Sequence, residues 1–287
     1  MEVARKKINI KSGETISIYM IGDVHEGSGN HAEESYDKAV SIVKDHIKSD
    51  KNVYWGGIGD YIDAINHRDP RFNPAEIAEK YDVIDLANLA VKQTERFYDR
   101  TKSIFGNCLF LLYGNHEETY VRHNGFDAVN LLQYFAYRDS KEEISPTILG
   151  YTGFFTFSID HDGKNNIYNI ALSHGAGGGG FREGYGINKV HDVFRWFNAD
   201  CYIMGHIHRM MTDTQYRIEP RKGGSGVIRK KSLYGTNGCF MYKSKIGTRG
   251  YFEGKPSPES SIGMLRLDIK PAHQLEDWES SLTRIEL

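Results

Sequence analysis

Five times in this 287-residue chain an apolar run of strand length ends on polar residues able to hold a cation. "TISIYMIGDVH" (15–25) ends on Asp23 and His25, "NVYWGGIGDYID" (52–63) on Asp60 and Asp63, and "CLFLLYGNHE" (108–117) on Asn115 and His116. "NIYNIALSHG" (166–175) ends on His174, and "ADCYIMGHIH" (199–208) on His206 and His208. Short apolar runs bounded by glycine are strand signals. Between them, "YDKAVSIVKDHIKS" (36–49), the segment 74–104 with Pro74 in its first turn, "FDAVNLLQYFAYRD" (126–139) and "INKVHDVFRWFN" (187–198) carry the spacing of amphipathic helices. "YTGFFTFSID" reads as a further strand, and the part after about residue 209 mixes aromatic and β-branched residues with Gly, Pro and Ser, which suits antiparallel strands and loops. Alternating strands and helices followed by strands predict an α/β layered fold with mixed sheets.

Each polar tip alone reads as a turn or a polar sheet edge. Their joint occurrence is another matter, because ligands in open α/β sheets gather outside the carboxyl ends of the strands. Five such ends bring five histidines, two or three aspartates and an asparagine to one place.

Composition narrows the class. A chain that is 39% apolar and 26% charged, with a formal net charge of −2, is an ordinary globular one and excludes a globally basic nucleic-acid binder. The charge is uneven: residues 209–255 hold eleven Lys/Arg against Asp213, Glu219 and Glu253, so 11 − 3 = +8. Cys108, Cys201 and Cys239 are too few and too scattered for a disulfide framework or a CxxC metal site. The N-terminal "MEVARKKINIKSGE" lacks the apolar core of a secretory signal and no uncharged stretch has membrane length, so a cytoplasmic protein is expected, with no membrane partner.

The motifs DxH, GDxxD, GNHE, a late HG and GHxH, in that order over residues 23–208, resemble those of the calcineurin-like metallophosphoesterase family. The resemblance implies a four-layer sandwich of two mixed β-sheets flanked by helices, treated as one domain over 1–287 with 209–287 as its basic β-rich end. It also implies two divalent metal ions, manganese first, with iron, zinc or nickel as alternatives. Asp23, His25 and His208 would hold one metal, Asn115, His174 and His206 the other, and Asp60 would bridge them. The chemistry supports that set independently, since two cations about 3.5–4 Å apart need an anionic bridge, and water shared between them is acidified to hydroxide near neutral pH, a ready nucleophile. His116 would face the substrate as general acid. Asp63 would pair with His116 and orient it, or else cap a helix.

The resemblance implies hydrolysis of a phosphate ester. The protein phosphatases of the family continue with Arg-Gly after the second Asp, whereas this chain has Ala64-Ile65, so their phosphate-gripping arginine is missing; Arg122, His123, His67, Arg68 and Arg71 are candidate substitutes. Two segments are placed to shape a substrate pocket, 65–74 and the glycine-rich 175–186. The +8 stretch interleaves cations with Tyr and Phe, as single-stranded nucleic-acid sites do, or else covers a sheet edge with lysines. A phosphodiesterase acting on nucleic acid or nucleotides leads; a phosphomonoesterase and a non-catalytic binding scaffold are the alternatives.

Overall fold

The structure, a computed structural model, describes residues 1–11, 13–65, 77, 80–82, 85–161, 163–177, 184–221, 224–243, 258–271 and 278–287. In chain order the elements are β1 (Glu2–Asn9), β2 (Ile16–Ile21), α1 (Glu33–Ser49), β3 (Val53–Gly57), α2 (Leu89–Thr101), β4 (Cys108–Leu111), α3 (Asn115–Asn124), α4 (Ala128–Asp139), β5 (Thr147–Ile148), β6 (Thr152–His161), β7 (Lys164–Ser173), α5 (Tyr185–Phe194), β8 (Cys201–Met204), β9 (Met211–Pro220), β10 (Val227–Thr236), β11 (Gly263–Pro271) and β12 (Trp278–Glu286). They form two six-stranded mixed sheets, β1-β6-β7-β8-β10-β9 and β12-β11-β2-β3-β4-β5. This is the expected sandwich.

Side-chain alternation along the strands explains the layers. In β2 all six residues are buried: Ile16, Ile18 and Met20 enter the core between the sheets with Phe155, Phe157, Ile170 and Ile203, while Tyr19 and Ile21 point the other way. That outer face is covered by α1 through Tyr36, Ala39, Val40 and Val43, by α2 through Phe97 and by α4 through Val129 and Leu132. β8 behaves alike, with Cys201 and Ile203 inward and Tyr202 and Met204 beneath Val190 and Phe194 of α5. Strands apolar on both faces belong in the middle of a covered sheet.

Sheet order then places the site. β2, β3 and β4 pair in parallel, as do β7 with β8 and β8 with β10, so the carboxyl ends of the five motif strands share one edge of the sandwich. β10 and β11, both beyond residue 210, pair with β8 and β2, so the C-terminal part enters both sheets.

Several local expectations change. Of the helix expected over 74–104, the described residues form α2 with a 3-10 turn before it at Asp85–Asn88 and another after it at Lys102–Asn107; the polar ends of Lys80 and Tyr81 lie on the Glu26 carboxylate, a tertiary contact that local propensity does not contain. "GNHE" opens a helix, with Asn115 and His116 in the first turn of α3, which ends on Gly125 in the left-handed conformation (φ 68°). The N-terminal segment, read only for what it lacks, is strand β1, parallel to β6. All three cysteines are free and buried, and no helix among the described residues is long and apolar enough to cross a membrane.

The basic stretch divides. β10 aligns Leu233–Thr236 with Cys201–Met204, so the earlier half of β10 and the β9 residues paired with it run away from the ligand edge. Arg229, seven residues before Thr236, lies about 23 Å from that edge at strand rise. The cations there serve the fold: Arg217 donates to the hydroxyls of Tyr202 and Tyr234 (3.0 and 3.2 Å), Lys230 pairs with Asp200 (3.1 Å) and Lys231 donates to the Ser280 carbonyl (2.7 Å). These contacts are of the kind the edge-cover reading expects of this half. Lys222, Lys245, Arg249 and Lys255 lie outside the described residues.

Candidate metal centre

The turn after each motif strand is tight and non-local. Backbone N–H groups of Asp23, Val24 and His25 donate to carbonyls of Gly59 and Asp60 (2.8–3.1 Å), which ties the first two tips together. His206 donates its N–H to the Asp23 carboxylate (3.0 and 3.1 Å), which draws in the fifth. Eight non-glycine described residues have positive φ, and five of them are Asp23, His25, Asp60, His206 and His208. Such conformations cost energy and persist where surrounding contacts hold them, typically at functional sites.

All seven expected metal ligands converge. Asp23, His25 and His208 bring donor atoms within 4.8 Å of one another, as do Asp60, His174 and His206, and as do His25, Asp60 and His116. The Asn115 side-chain oxygen joins the second group, 3.1 Å from His174 Nε2. Asp60 stands between them: its Oδ2 is 3.2 Å from His174 Nε2 and 3.8 Å from His25 Nε2. His25 and His208 face each other Nε2 to Nε2 at 3.3 Å, and His25 Nδ1 is buried with no hydrogen-bond partner. Two imidazole lone pairs aimed at one point among carboxylates are a donor set for a cation, and the mixture of nitrogen and carboxylate oxygen suits manganese, iron, zinc or nickel. The residues fit the metal pair.

Proton placement follows from burial and charge. Burial favours neutral forms, yet the His208 partner holds Asp23 below the usual carboxylate range, and His174, His116 and His25 hold Asp60 well below it. Burial likewise opposes charging His174, but Asp60 outweighs it and pushes the ring up to about 9. His206, desolvated and beside that charge, falls to about 4, and His25 is lowered mainly by burial. His174 Nδ1–H donates to the Ile58 carbonyl (2.8 Å), which aims Nε2 at the centre.

His116 lies beside His25 and Asp60, its backbone N–H on Asp60 Oδ1 (3.0 Å). The expected side-chain pairing with Asp63 takes a different form. His116 Nδ1 meets the Asp63 backbone carbonyl, whereas the Asp63 carboxylate is 4.0 Å from that nitrogen and 3.7 Å from His25 Nδ1. Asp63 caps no helix among the described residues either, since Ala64, which would open one, has φ 51°. Of the candidate phosphate grips, Arg122 is exposed and paired with Glu118 (2.6 Å), His123 is exposed, and His67, Arg68 and Arg71 lie outside the described residues, as do most of 65–74 and 178–183.

Two residues carry more than sequence reasoning assigned them. Glu117, fully buried, accepts backbone N–H bonds from Asp60, Tyr61, Ile62 and Gly114 (2.7–3.2 Å) and so binds the second tip to the third; burial and the Asp60 charge push it up to about 7. Its bond to the Gly114 N–H is a local cap of α3, whereas nothing local shows the three remote N–H groups of the second tip. Gly114 is where a Cβ would fall on the carboxylate oxygen and amide of Asp60, so the third tip can approach the bridge only with glycine there.

A layered α/β sandwich with two groups of nitrogen and oxygen donors meeting on one carboxylate is the arrangement the calcineurin-like resemblance leads one to expect. The family model of the calcineurin-like phosphoesterases matches residues 16–210, and the chain belongs to that family. No curated protein matches it in sequence. Solved structures similar to it include Vps29 complexed with zinc from Entamoeba histolytica (11% identity, 93% of this chain and 98% of that one, TM-score 0.36). A conserved protein described as a predicted phosphoesterase from Streptococcus pneumoniae gives 10% identity over 96% of this chain and 100% of that one, TM-score 0.33. GAP50, the anchor in the inner membrane complex of Plasmodium, gives 11% identity over 95% and 84%, TM-score 0.48.

Proposed function

We propose that the chain is a hydrolase of phosphate esters that works with two divalent metal ions and acts on phosphodiesters of nucleic acid or nucleotides. The observation that carries the hydrolase reading is the complete donor set: no ligand position is lost, as it would be in a chain kept only as a scaffold. When bound, the metals would supply Lewis acidity and an acidified water. Asp23, His25 and His208 would hold one, Asn115, His174 and His206 the other, with Asp60 shared. His116, fixed by Asp60 through its amide and by the Asp63 carbonyl through Nδ1, would donate a proton to the leaving oxygen.

Two features support the diester. The arginine that grips a terminal phosphate in the protein phosphatases has no counterpart at Ala64-Ile65. Near the His208 side, moreover, Arg209 and Lys243 are close enough for their charges to interact: burial holds Lys243 below the usual lysine range although Cys239 and Glu259 oppose this, and Arg209 Nη1 is buried without a hydrogen-bond partner. Paired cations beside a metal site suit a substrate with more than one phosphate.

The test is hydrolysis of bis-p-nitrophenyl phosphate against p-nitrophenyl phosphate with Mn²⁺, with and without chelator, followed by single-stranded DNA. Preference for the diester, lost on stripping, is the expected result. Preference for the monoester would overturn the substrate reading, and a metal-loaded protein silent on all three would return the scaffold.

A further inference from the structure

Beside the metal centre lies a buried ion network that the proposed chemistry does not use. Glu26 follows the ligand His25 directly and is fully buried, and its carboxylate faces Lys80 Nζ (2.6 Å), Arg96 Nε (3.1 Å), Arg100 Nη1 (3.6 Å) and the Tyr81 hydroxyl (3.3 Å). Glu33 shares the same three cations, and Arg100 also binds Asp37 (2.9 Å). Glu26, His31 and Glu33 come close enough together to hold a cation. Three cationic side chains already offset the charge of those carboxylates.

Its backbone gives the network a purpose. The Glu26 N–H donates to the Tyr61 carbonyl and its own carbonyl accepts from the Asp63 N–H, both at 3.0 Å, so this one residue joins the Asp23/His25 loop to the Asp60/Asp63 loop. α2 spans the same two loops. Gln93 accepts from the Ala64 N–H (2.9 Å) and lies against Gly27, where a Cβ would strike its side chain, while Phe97 packs on Tyr61 (5.1 Å between rings) and Tyr36 (5.9 Å). Residues 93, 96, 97 and 100 fall on one helix face. The helix is a splint along the back of the centre, and the Glu26 charge is what ties the first ligand loop to it.

We infer that Glu26 is a positioning residue for the metal ligands, its carboxylate clamped by Arg96, Arg100 and Lys80 so as to set the spacing between His25 and the Asp60/Asp63 loop. The inference rests on the reading of the seven donors as a metal centre. Partners that orient ligands without touching the metal commonly govern affinity by about 10–100-fold.

Calorimetric titration of the full chain with Mn²⁺ tests it, comparing wild type, Glu26→Gln and Arg96→Gln, each checked by circular dichroism. Gln keeps the shape of Glu26 and removes its charge. Arg96 is 42% exposed, so its replacement is tolerated by the fold and decides the matter where Glu26→Gln does not fold. The expected result is Mn²⁺ affinity lowered about 10–100-fold in Glu26→Gln and by a smaller factor in Arg96→Gln. Variants that melt earlier yet bind Mn²⁺ as tightly as wild type would overturn the inference and leave the network purely structural. A wild-type chain that binds no Mn²⁺ would overturn the metal-centre reading itself, a distinct result that removes the inference with it.

Discussion

Asp60 Oδ2 lies 3.2 Å from His174 Nε2, an ion pair across the place where both residues would serve as ligands. Burial disfavours the charged ring, but the carboxylate outweighs it and raises His174 to about 9. A folded-state value above the unfolded one stabilises the metal-free protein fully below about pH 6.5, and this is lost as pH rises toward 9. A metal ion must displace that proton, so its own stabilisation grows over the same interval. The rise in melting temperature on adding Mn²⁺ is therefore expected to increase from pH 6.5 to 9. A shift that shrinks with pH would contradict the pairing.

Removing the shared carboxylate is expected to affect both metals. Elemental analysis after loading should give two ions per wild-type chain, with Asp60→Asn weakened at both sites and Asp23→Asn mainly at one. Loss of several kcal/mol of charge stabilisation corresponds to a fall in kcat on the order of a thousandfold for Asp60→Asn.

His116 and Asp63 should separate. As a general acid, His116 contributes about 10²–10⁴-fold, and His116→Ala should lose most with an alkyl leaving group and least with nitrophenolate, which departs without a proton. Asp63→Asn keeps the backbone carbonyl that receives His116 Nδ1, so its effect is expected to be about tenfold, acting through His25. Equal losses in the two variants, measured as kcat on both leaving groups, would restore a side-chain pairing.

Gly114→Ala adds one methyl group where it meets Asp60. Although φ there is −96° and needs no glycine, the methyl group would press on the buried amide as well as the carboxylate of Asp60, so Gly114→Ala should melt earlier and, where it folds, lose at least about a hundredfold in kcat, the scale of misplacing a reacting group by about 1 Å. Normal activity in a folded Gly114→Ala protein would show that the bridge does not depend on this approach.

The candidate metal ligands were legible in the sequence because each stands within a few residues of the strand that presents it. Asp23 and His25 follow Ile21, and His206 and His208 follow Met204, so the polarity change at a strand end marks them locally, and parallel pairing then gathers those ends. The contacts that fix the ligands belong to the tertiary structure. Which atom of Asp63 meets His116, that Glu117 collects the N–H groups of Asp60, Tyr61 and Ile62, and that Lys80 and Tyr81 reach Glu26 all depend on residues distant along the chain. Charge showed the same division: Arg217, Arg229 and Arg209 count equally in a composition, but β10 runs parallel to β8, so strand direction carries the first two away from the centre and leaves the third beside it. A side chain's type can be read from one position, whereas its direction and partners are set by packing, which sums over the whole molecule.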